Sequence, residues 1–63
     1  MCLSTVYKNE KKPETMVMNN VMTITCQDDM VILTDLMERS MAIQGFLESA
    51  NLVDGYVIIR TAE

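Results

Sequence analysis

The sequence predicts an all-β fold, a small barrel or sandwich of six or seven short antiparallel strands. Two observations carry this reading. Runs rich in β-branched and aromatic residues recur at intervals of about eight to ten residues, and polar or glycine-containing turns separate them. A sustained helical period is missing. Only residues 36–39 leave room for one helical turn, and isolated short helices are marginal in water.

Residues 2–8 alternate as a half-buried strand does, with Leu3, Thr5 and Tyr7 on one face and Cys2, Ser4, Val6 and Lys8 on the other. If the second face is inward, the Cys2 thiol lies at its edge. The polar run 9–13 is a turn, because Pro13 lacks the amide hydrogen a ladder needs. A second strand is expected over 14–18, an interruption at Asn19 and Asn20, and a third strand over 21–27, in which Cys26 shares a face with Met22 and Ile24 and is expected to be buried. Asp28 and Asp29 make a hairpin tip, where two adjacent carboxylates read as solvated turn charges. Residues 30–34 form the next strand. A turn near Glu38 and Arg39 leads to a strand over 40–44, closed by Gly45. A short strand is expected after Glu48. Asp54-Gly55 is a strong turn signal before the last strand, 56–60, and the tail should fray.

The whole of 1–63 is expected to form one domain. A chain this short buries on the order of 3,500–4,000 Å² of apolar surface, a gain of about 90–100 kcal/mol at roughly 25 cal/mol per Å², against about 95 kcal/mol of ordering entropy. The two terms nearly cancel. Apolar residues at successive positions in 30–33 and 57–59 also want cover on both faces. Both facts point to a homodimer.

The chain has no histidine, so it has no imidazole base and no catalytic triad of the serine-hydrolase kind. An enzyme is not expected. Nine acidic residues against five basic ones give a net charge of −4, which disfavours a phosphate-binding surface. The basic cluster Lys8, Lys11 and Lys12 reads as a solvated turn, and with Tyr7 beside it is the sole support for an alternative as a small RNA-binding barrel. A second alternative is a metal-free subunit whose Met-rich strands dock on another protein. There is no membrane-length apolar run and no secretory signal, so a cytoplasmic location with reduced thiols is expected.

Met1-Cys2 is the pattern with the most chemistry. If Met1 is removed, the α-amine and thiolate of Cys2 close a five-membered N,S chelate ring; if it is retained, its amine, the Cys2 amide nitrogen and the Cys2 thiolate can bind in sequence. Such donors in a plane suit a d⁸ or d⁹ ion such as Ni(II) or Cu(II). A two-fold axis near the N-termini would give two thiolates to one metal.

The chain resembles the CooT family, small nickel-binding accessory proteins of carbon monoxide dehydrogenase maturation. The likeness lies in Met1-Cys2-Leu3, Val21-Met22-Thr23-Ile24, the segment 31–36, Gly45, and Asn51-Leu52-Val53-Asp54-Gly55-Tyr56-Val57-Ile58. It implies an SH3-like or Sm-like barrel, a homodimer, carbon monoxide dehydrogenase as the client enzyme, and Ni(II) held through the second-position cysteine, here Cys2. Cys26 corresponds to no ligand of that pattern.

Overall fold

The computed structural model describes residues 3–62. Six strands follow in order, β1 (Ser4–Lys8), β2 (Met16–Gln27), β3 (Met30–Asp35), β4 (Ser40–Gln44), β5 (Phe46–Asn51) and β6 (Tyr56–Arg60), with a 3₁₀ turn at Pro13–Thr15 before β2. They form one sheet of order β4-β3-β2-β1-β6-β5. The all-β class and the six strands are as the sequence predicts.

Three details differ. First, β1 and β6 run parallel, Thr5 opposite Tyr56 and Lys8 opposite Ile59, whereas the other neighbours are antiparallel. A parallel pair needs a long crossover, and here the whole of β2–β5 supplies it. Second, the strands expected over 14–18 and 21–27 are one strand. Asn20 takes φ 55° and a register irregularity follows Val21, so the break expected at Asn19 and Asn20 is a bend within β2. The segment before that bend pairs with β1 and the segment after it with β3. Third, a 3₁₀ turn that the sequence reading did not place lies at Pro13–Thr15, where proline's fixed φ suits a first helical position, while the chain turns before β4 near Glu38 and Arg39 as expected.

The sheet does not close into a barrel by hydrogen bonds. Its edges are β4 and β5, yet these are successive strands joined by Gly45 alone. The sheet must therefore coil until its two edges meet at one corner. Gly45 allows this: a Cβ there would overlap the Arg60 carbonyl oxygen, and its N–H donates to the Asp29 carbonyl at 2.8 Å. Inside the coil lies a core of Val6, Val21, Val31, Leu33, Ile43, Val57 and Ile59, with Val17, Met18 and Ile24 packed against it. Val6 is fully buried, which fixes the inward face of β1 as that of Ser4, Val6 and Lys8.

Leu33 is among the fully buried side chains of the core. Leu33→Ala is expected to lower stability by about 2–5 kcal/mol, while Thr25→Ala, on an exposed position of β2, should stay within about 0.5 kcal/mol of the parent. Urea unfolding of both variants measures the contrast.

Candidate functional site

Cys2, the predicted metal ligand, lies with Met1 outside the described residues. What the structure supplies is the end of the sheet at which the described chain begins. There Ser4 pairs with Val21, Val21 with Asp35, and Thr5 with Tyr56, which in turn pairs with Asn51. The start of β1, the bend of β2, the β3–β4 turn and the β5–β6 turn are thereby gathered at one end of the molecule.

Two turns at this end are held by side-chain carbonyl or carboxylate oxygens. In the β5–β6 turn, Asn51 Oδ1 accepts from the amides of Val53 (3.1 Å) and Asp54 (2.9 Å), and Asn51 Nδ2 donates to Asp54 Oδ2 at 3.0 Å. Gly55 takes φ 77°, which favours glycine, and its carbonyl accepts from the Thr5 amide at 2.9 Å. The β5–β6 turn is thus tied directly to β1. In the β3–β4 turn, buried Asp35 accepts from the amides of Met37 and Arg39 at Oδ1 and from Arg39 Nε at Oδ2, all at 2.9 Å. The Leu36 amide donates to the Asn20 carbonyl at 2.9 Å, fastening this turn to the bend of β2.

Both turns display apolar side chains. Leu52 is 73% exposed, Val53 96% and Met37 72%, the three most exposed large apolar side chains among the described residues; Leu36 and Met22 at the same end are also exposed. Side chains of this kind gain nothing from water, and hydrogen-bonded turns hold them there. Exposed apolar side chains gathered at one end of a small chain mark a contact surface.

Cys26 is not buried, contrary to the sequence expectation; it is an exposed free thiol. It pairs with Val31 near the tip of the β2–β3 hairpin, beyond the last β2 residue covered by β1. Ile24 in that half of β2 packs against the core, but at Cys26 the strand has only β3 beside it among the described residues. At about 3.3 Å per residue, Cys26 is roughly 16 Å along β2 from Val21, so the fold does not bring it to the N-terminal end. Among the described residues no three Asp, Glu, Cys or His side chains are grouped to hold a metal.

The lysine cluster is partly engaged. Lys11 Nζ sits 4.6 Å from the centroid of the Tyr56 ring, Tyr7 meets that ring edge-on at 6.4 Å, and Lys12 pairs with Glu10 at 3.4 Å. Asp28 and Asp29 are exposed turn residues, as expected, with Asp29 accepting from Gln44 Nε2 at 3.2 Å.

A match to the family model described as CO dehydrogenase accessory protein CooT covers residues 1–60 of the 63. The chain belongs to the CooT family. The match begins at residue 1, so it includes the Met1-Cys2 start as well as both turns of the apolar end. Membership carries an accessory role toward CO dehydrogenase rather than a catalytic one. No curated protein matches this CooT-family chain. Among its described residues no helix is long and apolar enough to cross a membrane.

Asp35 escaped the sequence reading, which ended its strand at Thr34. The available signal was an aspartate directly after an apolar strand and before a polar turn, the position from which a carboxylate caps turn amides. The Arg39 amide is the largest influence on its carboxyl; opposed by burial and aided by the Arg39 guanidinium and the Met37 amide, it holds the group below the ordinary carboxylate value. A carboxylate depressed in the folded state stabilises above its unfolded value, about 3.9, and loses that contribution as pH falls through the lower folded value. Asp35→Asn should therefore lower Tm at pH 7, and the gap to the parent should close toward pH 2. Thermal unfolding monitored by circular dichroism across that range checks both parts.

Proposed function

We propose that this CooT-family chain is a homodimeric nickel carrier for CO dehydrogenase, in which the Cys2 thiolates of two copies hold one Ni(II). The observation that carries the reading is the family match running from residue 1 across an end of the molecule that exposes apolar side chains. CO dehydrogenase maturation depends on nickel, and the Met1-Cys2 start offers thiolate with amine or amide nitrogen, a donor set suited to a planar d⁸ ion. One copy supplies one such thiolate. A two-fold axis supplies the second.

The apolar end is the natural contact for that axis. Leu36, Met37, Leu52, Val53 and Met22 together expose on the order of 600 Å² per copy, against about 800 Å² per partner in an interface of standard size. With the polar atoms around them, the two areas are comparable. Burying this surface adds the stability that a core of seven aliphatic side chains lacks. The net charge of −4 leaves the RNA-binding alternative without the cationic surface it requires.

Native mass spectrometry with and without nickel should give a dimer carrying one metal ion. Titration calorimetry should show Cys2→Ser losing most of the nickel affinity; equal affinity in the two proteins would overturn the assignment of the ligand. Because the thiol must release a proton to bind, affinity should weaken as pH falls from 8 to 6.

Leu52→Asp with Val53→Asp changes only exposed turn side chains. This double variant should remain folded but run as a monomer in sedimentation analysis. Its nickel affinity should fall by about tenfold or more although Cys2 is retained.

A further inference from the structure

The two unequal halves of β2 leave a slot in the coiled sheet. β3 begins its pairing with β2 at Val21, so among the described residues Met16 and Val17 have β1 on one side and no strand on the other. β4 is a sheet edge and also has one side without a strand among the described residues. Residues from both edges line the same grooves. Met16, Val17 and Met41 line both of the adjoining grooves that run the length of β4, one reaching Arg39 at its start and the other reaching Asp28 and Asp29 at its finish.

The hydrogen bonds of β4 show which of its backbone groups are turned to the slot. The Arg39 carbonyl accepts from the Asp35 amide at 3.0 Å, and the Gly45 amide donates to the Asp29 carbonyl at 2.8 Å. Both therefore point toward β3. Antiparallel pairing alternates strictly, so the residues of β4 whose N–H and C=O point away from β3 are Ser40, Ala42 and Gln44. The middle one is small and exposed, and leaves the approach clear.

Charge then gives the slot a direction. Arg39, whose Nε donates to Asp35 but whose side chain is 75% exposed, stands at one end and Asp28 and Asp29 at the other. Arg60, near the aspartates, is taken up by Glu48 through its Nε, and Lys8 and Glu14 at that end are of opposite sign.

We propose that this slot binds an extended segment of a partner protein by strand addition to β4. The segment pairs antiparallel, with a cationic residue at its N-terminal end beside Asp28 and Asp29 and an anionic residue at its C-terminal end beside Arg39. Ser40, Ala42 and Gln44 together offer on the order of six main-chain hydrogen bonds, and alternate apolar side chains of the segment lie on Met16 and Val17. This site starts at the β3–β4 turn, beside the apolar end assigned to the second copy, and runs away from it along β4.

The test uses the full chain and two synthetic peptides, Lys-Val-Thr-Val-Thr-Val-Glu and its reversed-charge form Glu-Val-Thr-Val-Thr-Val-Lys. In amide hydrogen exchange followed by NMR, the first peptide should protect the Ser40, Ala42 and Gln44 amides and the second should protect them less. Ala42→Pro removes an outward N–H while leaving the β3 ladder intact, a change that edge strands tolerate; it should weaken binding of the first peptide about tenfold. Its circular dichroism and nickel stoichiometry should match the parent. Asp28→Lys should reverse the preference between the peptides. The proposal fails if neither peptide alters those three amides. It fails equally if they are already protected in a concentration-dependent way without peptide, because the occupant would then be a second copy.

Discussion

Everything in this fold turns on one residue, Gly45, which joins the two edges of the sheet. A flat six-stranded sheet would set its edge strands far apart, yet β4 and β5 are consecutive and share this single linking residue. The sheet can satisfy that demand only by coiling, and the coil is what encloses the core. It also explains why closure is incomplete. The edges meet at a corner through the covalent chain, and the ladder that would seal them is missing. Stability is consequently concentrated in seven aliphatic side chains and in turns fixed by Asp35 and Asn51.

Those turns connect fold to function. A turn that must hold apolar residues in water cannot rely on burying them; it needs an internal scaffold of hydrogen bonds. Asn51 and Asp35 provide it at the same end of the molecule, next to the start of β1. The geometry there is set before any partner arrives, so association need not also order the loops, which lowers its entropic cost. An accessory protein benefits from a contact surface fixed in this way.

Much of this was legible in the sequence. The bounds Ser40–Gln44 and Tyr56–Arg60, the Asp28-Asp29 hairpin and the sharing of one β1 face by Ser4, Val6 and Lys8 all follow from alternation and turn chemistry, which are local. What was not legible depended on distant pairing. Asn20 reads as a chain break, because only the presence of β1 and β3 on different halves of β2 makes it a bend. Cys26 has the side-chain pattern of a buried residue; its exposure results from β1 ending short of it. The parallel pairing of β1 with β6 has no local signature. Of the site, the Met1-Cys2 start and the turn at Asp54-Gly55 were visible. The gathering of two apolar turns beside β1 was not, since Leu52 and Met37 look like ordinary core residues in sequence.

The parallel pairing of β1 with β6 also governs when the molecule can assemble. The first strand finds its neighbour only after residues 56–60 have been synthesised, because Thr5 pairs with Tyr56 and Lys8 with Ile59. Contacts that join the two ends of a chain form slowly, since the entropy of closing the whole loop is lost before they give any return. The β2–β3 and β3–β4 hairpins can form while the ribosome is still at work, but the end of the sheet nearest the N-terminus is completed last. Completion of the sheet is therefore a late event: a product that stops before residue 56 lacks the strand against which β1 pairs.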